Sequence, residues 1–171
     1  MLPGLLLWLL PVVFLLHDAE ETLFLPGWLK RNRGWLSERF PRLSGRLFAR
    51  VGGISPARFA AMAAEELVLL LAVTSCAFFS HAYLPWLALF LAFGVHLVVH
   101  IVQWIAVGRY IPVAATSLAA SGYCGWGLRI LINSRLFTLR EFLLCGVAGC
   151  AAAVLNLWLL HAAPGRAGRR E

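Results

Sequence analysis

Two short clusters of ionisable residues lie within or beside strongly apolar sequence, where they could carry chemistry. The first, residues 17–21 (His-Asp-Ala-Glu-Glu), follows an apolar run, and the second, Glu65-Glu66, lies inside another. Together they contain five of the eight acidic residues of the chain. Burying a carboxylate in hydrocarbon is costly, so such residues need a partner and mark a functional site.

Two histidines on a later apolar stretch, His96 and His100, are the nearest partners, because neither cluster contains lysine or arginine. At about 100° per residue, these histidines lie about 40° apart on one helical face. In the first cluster, Glu20 and Glu21 fall about 60° and 40° either side of His17. Carboxylates and imidazoles that converge at one depth predict a bound metal ion.

The residue types indicate which metals such a site would bind. Glutamates from several helices, together with histidines, form the ligand sets of di-iron and di-manganese centres in helical bundles. Carboxylate and imidazole donors without thiolate suit iron, manganese or zinc. The candidates exceed what one tetrahedral zinc ion needs, so we expect two divalent ions, with iron favoured. The candidate ligands are His17, Glu20, Glu21, Glu65, Glu66, His96 and His100, and the candidate catalytic carboxylates are Glu20 and Glu66.

Each of these features also has a plain structural explanation. A lone histidine in a membrane is more often hydrogen-bonded packing than a ligand, and a Glu-Glu pair at a helix start can interact with the helix dipole. Protonation is a further way to relieve repulsion between buried carboxylates. The joint occurrence of the clusters favours a metal site. His81 and His161 are predicted to be interfacial, Asn156 to be ordinary polar packing, and the four cysteines to pack between helices.

The depth of the polar residues is a second criterion. Glu21, Glu66 and His100 each lie eight or nine residues from a basic residue that is predicted to face the cytoplasm. This offset is about 12–14 Å of helix rise, so three helices place ionisable groups in one layer, and Thr116 lies at a similar depth. A shared site requires the first three spans to be mutual neighbours, with ligands on different helices within about 3–5 Å of one another.

The elements that must carry these residues are membrane helices. The chain has 171 residues, 61% of them hydrophobic, which is far from the composition of a soluble domain. Crossing the hydrocarbon takes about 20 helical residues. The apolar runs therefore predict an all-α integral membrane protein, a single domain with a bundle of five transmembrane helices. The predicted spans are about 3–26, 56–80, 84–107, 111–132 and 141–161.

The placement of the basic residues predicts the topology. Eight of fifteen lie within 30–58, and three more lie in the basic tail 164–171. The segment 28–55 combines Trp and Leu with Arg, as expected for an interfacial amphipathic helix, broken near Pro41. By the positive-inside rule the N-terminus is outside and the C-terminus cytoplasmic, and we expect a bacterial inner (plasma) membrane. Attraction to the headgroups of the lipid bilayer explains the net charge of +7 better than nucleic-acid binding does, because the sequence shows no soluble domain that could bind a nucleic acid.

The ionisable residues fall in four blocks whose order resembles a known family. The blocks are HDAEE at 17–21, AEEL at 64–67, HLVVH at 96–100 and RYIPV at 109–113. The first block carries the signature of the HXXEE-domain family of small integral membrane proteins, and the other three resemble further blocks of that family. Val113 stands where a glycine is common. The similarity covers about residues 10–135 and implies a helical membrane domain with metal ligands, without identifying a reaction.

The leading hypothesis is a membrane-embedded enzyme with a dinuclear iron centre that acts on a lipophilic small molecule. Such a centre would support hydroxylation or desaturation and would need a redox partner. A second hypothesis is a zinc-dependent intramembrane hydrolase with a glutamate as general base, although the His-Glu-x-x-His motif is absent. The third is a non-enzymatic carrier of metal ions or protons, since acid–imidazole chains suit proton relays.

Overall fold

The structure, a computed structural model, describes residues 1–42, 45 and 56–162. Within these residues the regular elements are helices and no strand is present, which confirms the all-α prediction. The helices are α1 (Gly4–Arg31), α2 (Arg33–Arg39), α3 (Pro56–Ser80), α4 (Tyr83–Val107), α5 (Ala114–Ser134) and α6 (Leu139–Ala162).

Three of these helices are long and apolar enough to cross a membrane. They are α3 over Ala60–Ser80, α4 over Tyr83–Val107 and α6 over Leu139–Leu159. The 28 residues of α1 would extend about 42 Å, but every 18-residue stretch of α1 contains the three carboxylates of its polar cluster. α5 is rich in glycine, serine and alanine and contains Arg129. The chain therefore has the helices of a membrane protein, and five spans remain a prediction.

Helices α1 and α4 make most of the packing contacts of the bundle. α1 packs against α3 and α5, while α4 packs against α5 and α6 and also contacts α3. α1 and α4 touch each other as well, so the first three predicted spans are mutual neighbours, as a shared site requires. Their common core includes the buried side chains of Leu6, Leu7, Leu10, Trp86, Phe90 and Leu97.

An aromatic group fixes α5 to this core. Trp86 and Phe90 stack with ring centroids 5.1 Å apart, and Phe90 meets the ring of Tyr123 on α5 at 5.8 Å. The Tyr123 hydroxyl donates a 2.8 Å hydrogen bond to the backbone oxygen of Leu6 on α1. α5 is thereby held against both α1 and α4, which sets the position of its first turn.

The packing of α6 on α4 depends on Gly149. A Cβ atom at this position would overlap the backbone carbonyl group of Ala88 on α4, so no larger residue fits without a shift of the helices. Small residues at such crossings let membrane helices approach closely and gain van der Waals contact.

Several helix boundaries follow local sequence signals. α3 begins at Pro56, the predicted start of its span, and proline is favoured at the first position of a helix. α4 ends at Val107, as predicted. α6 begins two residues before its predicted start because a capping box precedes it. In this box the backbone N–H of Thr138 donates a 2.7 Å bond to Glu141 Oε2, and the N–H of Glu141 donates a 3.2 Å bond to Thr138 Oγ1.

The ends of α1 and α5 differ from the prediction. α1 continues through Pro26 for five residues beyond its predicted end, and α5 begins at Ala114, three residues later than expected. Trp28, in the last turns of α1, packs against buried Ile111 and Val113 of the α4–α5 turn. This contact favours a longer α1 and keeps residues 111–113 out of the helix.

Val113 adopts a left-handed backbone conformation directly before α5, with φ at 83°. Such a conformation costs about 1–3 kcal/mol in a residue other than glycine, and it is least favourable for a β-branched one. The side chain of Val113 is fully buried, and its carbonyl accepts a 2.9 Å hydrogen bond from the N–H of Ser117. Burial and this bond offset the strain, so valine holds a tight turn at the position where glycine is common in the family that the sequence resembles.

The basic segment after α1 is described in part. α2 ends two residues before Pro41, in agreement with the predicted break. The guanidinium carbon of Arg109 lies 4.3 Å from the centroid of the Trp35 ring, which ties α2 to the α4–α5 turn. Part of the predicted amphipathic segment 28–55, and all of the predicted tail 164–171, lie outside the described residues.

Candidate metal centre

Two pairs of side chains, one from α1 and one from α4, converge inside the bundle. His17 and Glu21 are four residues apart on α1, and His96 and His100 are four residues apart on α4, so each pair faces one side of its helix. One donor atom from each of the four residues lies within 4.8 Å of all the others. These four residues, called the donor group below, could hold a metal ion.

The atoms of the donor group are spaced as ligands of a single ion would be. The Nε2 atom of His96 lies 3.2 Å from Nε2 of His17 and 3.0 Å from Nε2 of His100. Oε2 of Glu21 lies 3.5 Å from Nε2 of His100 and 3.7 Å from Nε2 of His96. Four ligands bound tetrahedrally at about 2.0–2.1 Å stand about 3.3–3.4 Å apart. Four of the six distances, between 3.0 and 3.7 Å, are therefore close to the edges of one such tetrahedron, and all six are within 4.8 Å.

Hydrogen bonds within the donor group cannot satisfy all of its nitrogen and oxygen atoms at once. In a neutral imidazole each ring nitrogen is either a donor or an acceptor, so Nε2 of His96 pairs well with one neighbour only. It nevertheless faces two other imidazole nitrogens and a carboxylate oxygen. A cation at the centre would accept a lone pair from every one of these atoms.

A hydrogen-bonded chain orients His17 for metal binding. The hydroxyl of Thr116, in the first turn of α5, donates a 2.5 Å hydrogen bond to Oε2 of Glu20. Because its hydrogen is used there, the same Oγ1 atom accepts the 3.0 Å hydrogen bond from Nδ1–H of His17. A proton on Nδ1 leaves the lone pair of Nε2 directed at the centre of the donor group. The predicted depth of Thr116 is confirmed by this contact.

His100 is oriented in the same way by Gln103, one turn further along α4. Oε1 of Gln103 lies 3.1 Å from Nδ1 of His100. Since an amide oxygen only accepts hydrogen bonds, Nδ1 carries the proton and Nε2 keeps its lone pair. Two imidazole lone pairs and a carboxylate oxygen that face one another repel, and a cation between them replaces this repulsion by attraction.

Glu20 lies outside the donor group, although the sequence predicts it as a ligand. Its Oε2 atom also accepts a 3.3 Å hydrogen bond from the backbone N–H of Thr116, and its Oε1 atom accepts a 3.3 Å bond from the hydroxyl of Tyr110. Partial burial, together with the charge of Glu20, raises the pKa of Tyr110 above its ordinary value, so the phenol keeps the proton that it donates. Glu20 therefore supports His17 through Thr116 and does not itself reach the centre.

The two glutamates of α3 also lie outside the donor group. Oε2 of Glu65 accepts a 3.1 Å hydrogen bond from Nδ2 of Asn156 on α6. Glu66 lines a cavity whose wall also includes Asp18 of α1 and His96 of α4. Glu66 thus lies at the predicted depth. It faces the cavity together with His96, and it is not among the donor group that the sequence predicts it to join.

This cavity beside the donor group has a volume of about 360 Å³ and is bounded by α1, α3, α4 and α6. It falls within the usual size range of small-molecule sites. The larger apolar residues of its wall are Phe14, Met62, Leu69, Leu70, Leu89, Phe93 and Leu157. Its polar residues are Asp18, Glu21, Glu66, His96 and Asn156. Because Glu21 and His96 belong to both the wall and the donor group, a molecule in the cavity would lie beside a bound ion.

His81 and the cysteines lie apart from this site. His81 is exposed at the α3–α4 turn, where its Nδ1 atom lies 3.1 Å from the hydroxyl oxygen of Tyr83, and its interfacial position stays a prediction. The side chain of His161 lies outside the described residues. Cys76 is exposed and the other three free cysteines are buried or half-buried. The predicted packing between helices is confirmed for Cys124 and Cys145, which belong to or pack against the core of the bundle.

Comparison with known proteins places this site in a family. The family described as a protein of unknown function with HXXEE motif matches residues 8–126, which is more than half of the chain. The chain belongs to the HXXEE family. No curated protein and no solved structure matches it. The resemblance predicted over about residues 10–135 is confirmed.

The three ionisable residues of the HXXEE motif have different positions in the structure. His17 and Glu21, its first and last residues, both lie in the donor group. Glu20, between them, binds Thr116, which in turn orients His17. The motif therefore contains two candidate ligands and the residue that positions one of them. Sequence reasoning missed Tyr110, although the block 109–113 contains it.

Proposed function

We propose that this protein is a membrane-embedded, metal-dependent enzyme that acts on a lipophilic substrate. The observation that carries the proposal is the convergence of three imidazole nitrogens and one carboxylate oxygen within 4.8 Å, next to a largely apolar cavity. Candidate metal ligands beside such a cavity combine a reactive centre with a binding site for a hydrophobic molecule.

One divalent ion per chain agrees best with the side-chain positions, whereas the sequence favours two. Two of the predicted glutamate ligands, Glu20 and Glu65, are hydrogen-bonded to uncharged partners instead. A second ion would have to bind Asp18 and Glu66 at the cavity wall. The number of ions per chain therefore distinguishes a mononuclear from a dinuclear centre.

Oxidation is the favoured reaction class, because nitrogen and oxygen donors without thiolate suit iron. An iron ion in the donor group would support hydroxylation or desaturation of an alkyl chain, with dioxygen as the oxidant and a redox partner as the source of the two further electrons. The residues of the chain supply the rest of the site. Thr116 and Gln103 hold the two histidine tautomers, the apolar wall excludes water, and the carboxylate of Glu66 can accept and return a proton inside the cavity. Glu20 then acts as a positioning residue and Glu66 remains the candidate catalytic carboxylate.

Zinc-dependent hydrolysis is the second candidate, because imidazole and carboxylate donors at these distances also suit zinc. A zinc ion held by three of the four donors, with its fourth position open to water, would activate that water for attack on a substrate carbonyl. Glu66 lines the cavity beside the donor group and could serve as the general base.

We further propose that α1 and α5 cross the membrane with the three more apolar helices, which gives five spans. His17, near the middle of α1 and the first residue of its polar cluster, is only 1% exposed, so this cluster turns partly into the bundle. The basic residues within 30–58 then favour an outside N-terminus and a cytoplasmic C-terminus in a bacterial inner membrane.

Metal analysis of the full chain, purified in detergent without chelators, tests the enzyme proposal together with optical or Mössbauer spectra. One iron per chain supports the oxidative reading, one zinc supports the hydrolase, and two ions support a dinuclear centre. His100→Ala should lose the metal, and His81→Ala, a histidine outside the site, should keep it. A chain that binds no stoichiometric iron, zinc or manganese after reconstitution would refute the proposal, and tight binding without turnover would indicate a carrier.

A further inference from the structure

Residues of α3 and α6 both line the cavity. α3 packs against α1 and α4, and α6 packs against α4, while a hydrogen bond from Asn156 to Glu65 joins α3 and α6. Leu69 of α3 is 45% exposed and Leu157 of α6 is 43% exposed, although both line the cavity. Both helices are long and apolar enough to cross a membrane. An opening between them would therefore face the hydrocarbon of a bilayer.

The polar end of the cavity has an excess of negative charge. Asp18, Glu21 and Glu66 contribute three carboxylates, and the described residues of the wall include no lysine or arginine. With all three carboxylates ionised, one divalent ion in the donor group balances two of these charges and leaves one unbalanced. Uncompensated charge is costly inside a membrane, and either one proton or one monovalent cation would balance it.

The negative charge of the cavity favours a bound molecule whose polar group is positively charged. A fatty-acid carboxylate or a lipid phosphate would add negative charge beside Asp18 and Glu66. An ammonium group supplies one positive charge and three hydrogen-bond donors, enough for both carboxylates and one further acceptor. Asn156, whose Nδ2 donates to Glu65, contributes an amide oxygen to the same wall.

We propose that the cavity binds an amphiphile with one alkyl chain and a terminal amine, which enters from the bilayer between α3 and α6. This rests on the proposed function, because the metal ion supplies two of the charges and the cavity is its substrate site. The alkyl chain packs against Leu69, Leu70 and Leu89, and the ammonium group pairs with Asp18 and Glu66. A volume of about 360 Å³ lies near the lower end of small-molecule sites and suits one chain better than a two-chain phospholipid.

The test is photo-crosslinking of the full chain, in nanodiscs of zwitterionic lipid, with tetradecylamine that carries a diazirine in its alkyl chain. We expect labelled peptides from 62–70 of α3 and 152–157 of α6. Unlabelled tetradecylamine should compete at least tenfold better than tetradecanol or tetradecanoate. Glu66→Gln should weaken labelling at least tenfold, because it removes a charge while keeping the shape of the side chain.

Two tryptophan substitutions on α6 form a matched pair of controls. Ala153→Trp fills the cavity and should abolish labelling of both peptides. Val154→Trp adds the same bulky residue at a position that is 69% exposed and outside the cavity wall, and labelling should be unchanged. Metal content is measured for each variant, and where Ala153→Trp loses its metal, Ala153→Leu replaces it.

Equal competition by amine and carboxylate, or equal loss of labelling in the two tryptophan variants, would overturn the amine site. So would two divalent ions in the unmodified chain and one in Glu66→Gln, because the second ion would supply the missing charge. A chain that binds one ion but shows no preference for the amine overturns the amine site alone. A chain that labels specifically but binds no metal overturns the proposed function and supports the amine site.

Discussion

The Nδ1 atom of His17 on α1 lies 3.0 Å from the hydroxyl oxygen of Thr116 on α5, 99 positions later in the chain. Thr116 is in turn bound to Glu20, one turn beyond His17 on the same helix. This contact determines which nitrogen of His17 faces the donor group. A single hydroxyl thus links the packing of α5 to the ligands of α1 and α4.

Replacing Thr116 by alanine is expected to weaken metal binding about 10–100-fold, because His17 loses the acceptor that fixes its tautomer. All four donors remain, so binding should weaken without disappearing. Thr116→Ser keeps the hydroxyl and should restore most of the affinity. Competition with a chelator of known affinity measures both variants, and an equal loss in the two would assign the effect to packing of the methyl group.

Removal of a side chain of the donor group should weaken metal binding more than removal of the residue that orients it, such as Thr116. His100→Ala and Glu21→Gln are expected to lose stoichiometric metal, whereas His81→Ala and Glu38→Gln should retain it. Bound metal at 100 times its dissociation constant stabilises a folded chain by about 2.7 kcal/mol. The melting temperature of the unmodified chain should therefore rise with added metal, and that of the donor variants should not. A similar metal response in all four variants would argue against the donor group.

The contact between α4 and α6 provides a packing prediction. Gly149→Ala is expected to lower the free energy of unfolding by about 1–3 kcal/mol, because its Cβ would overlap the backbone of Ala88. Gly146→Ala is the matched control, since its Cβ would meet only Leu91 at an ordinary 3.9 Å. Thermal unfolding in one detergent compares the two. Equal stability of the variants would show that α6 does not pack on α4 at this position.

The topology makes a prediction that is independent of the metal. In a cysteine-free background, a membrane-impermeant thiol reagent added outside intact cells should label Ala82→Cys, at the exposed α3–α4 turn. It should not label Gly45→Cys, in the basic segment, until the membrane is permeabilised. The reverse pattern would place the donor group nearer the outer face and would remove the cytoplasmic assignment of the C-terminus.

The sequence predicts the site better on α1 and α4 than on α3. The i,i+4 spacing of His96 and His100 puts both on one face whatever surrounds the helix. For α3, the rise per residue predicts the depth of Glu66 along the helix axis. The distance from Glu66 to His96 and His100 depends instead on how α3 packs against α1, which the sequence does not give. Glu20 and Glu21 lie at such similar angles from His17 that local geometry cannot separate them.

Contacts distant in sequence decide the roles of those two glutamates. Thr116 and Tyr110, from the α4–α5 region, take up the carboxylate of Glu20. Glu21 lies within reach of His96 and His100 instead. No helical periodicity contains this information, although the block 109–113 and the depth of Thr116 indicated that the region belongs to the site.

The carboxylates of α1 have a consequence for how the protein is made. His17 meets His96 from 79 positions further along, so α1 leaves the ribosome well before the helix that completes its donor group. With three acidic side chains and no partner, α1 partitions poorly into lipid by itself. If α1 crosses the bilayer as proposed, it is expected to settle there only after α4 has arrived. Binding of the proposed metal would then be a late event in biogenesis, and α1 would be the helix most exposed to degradation when metal is scarce.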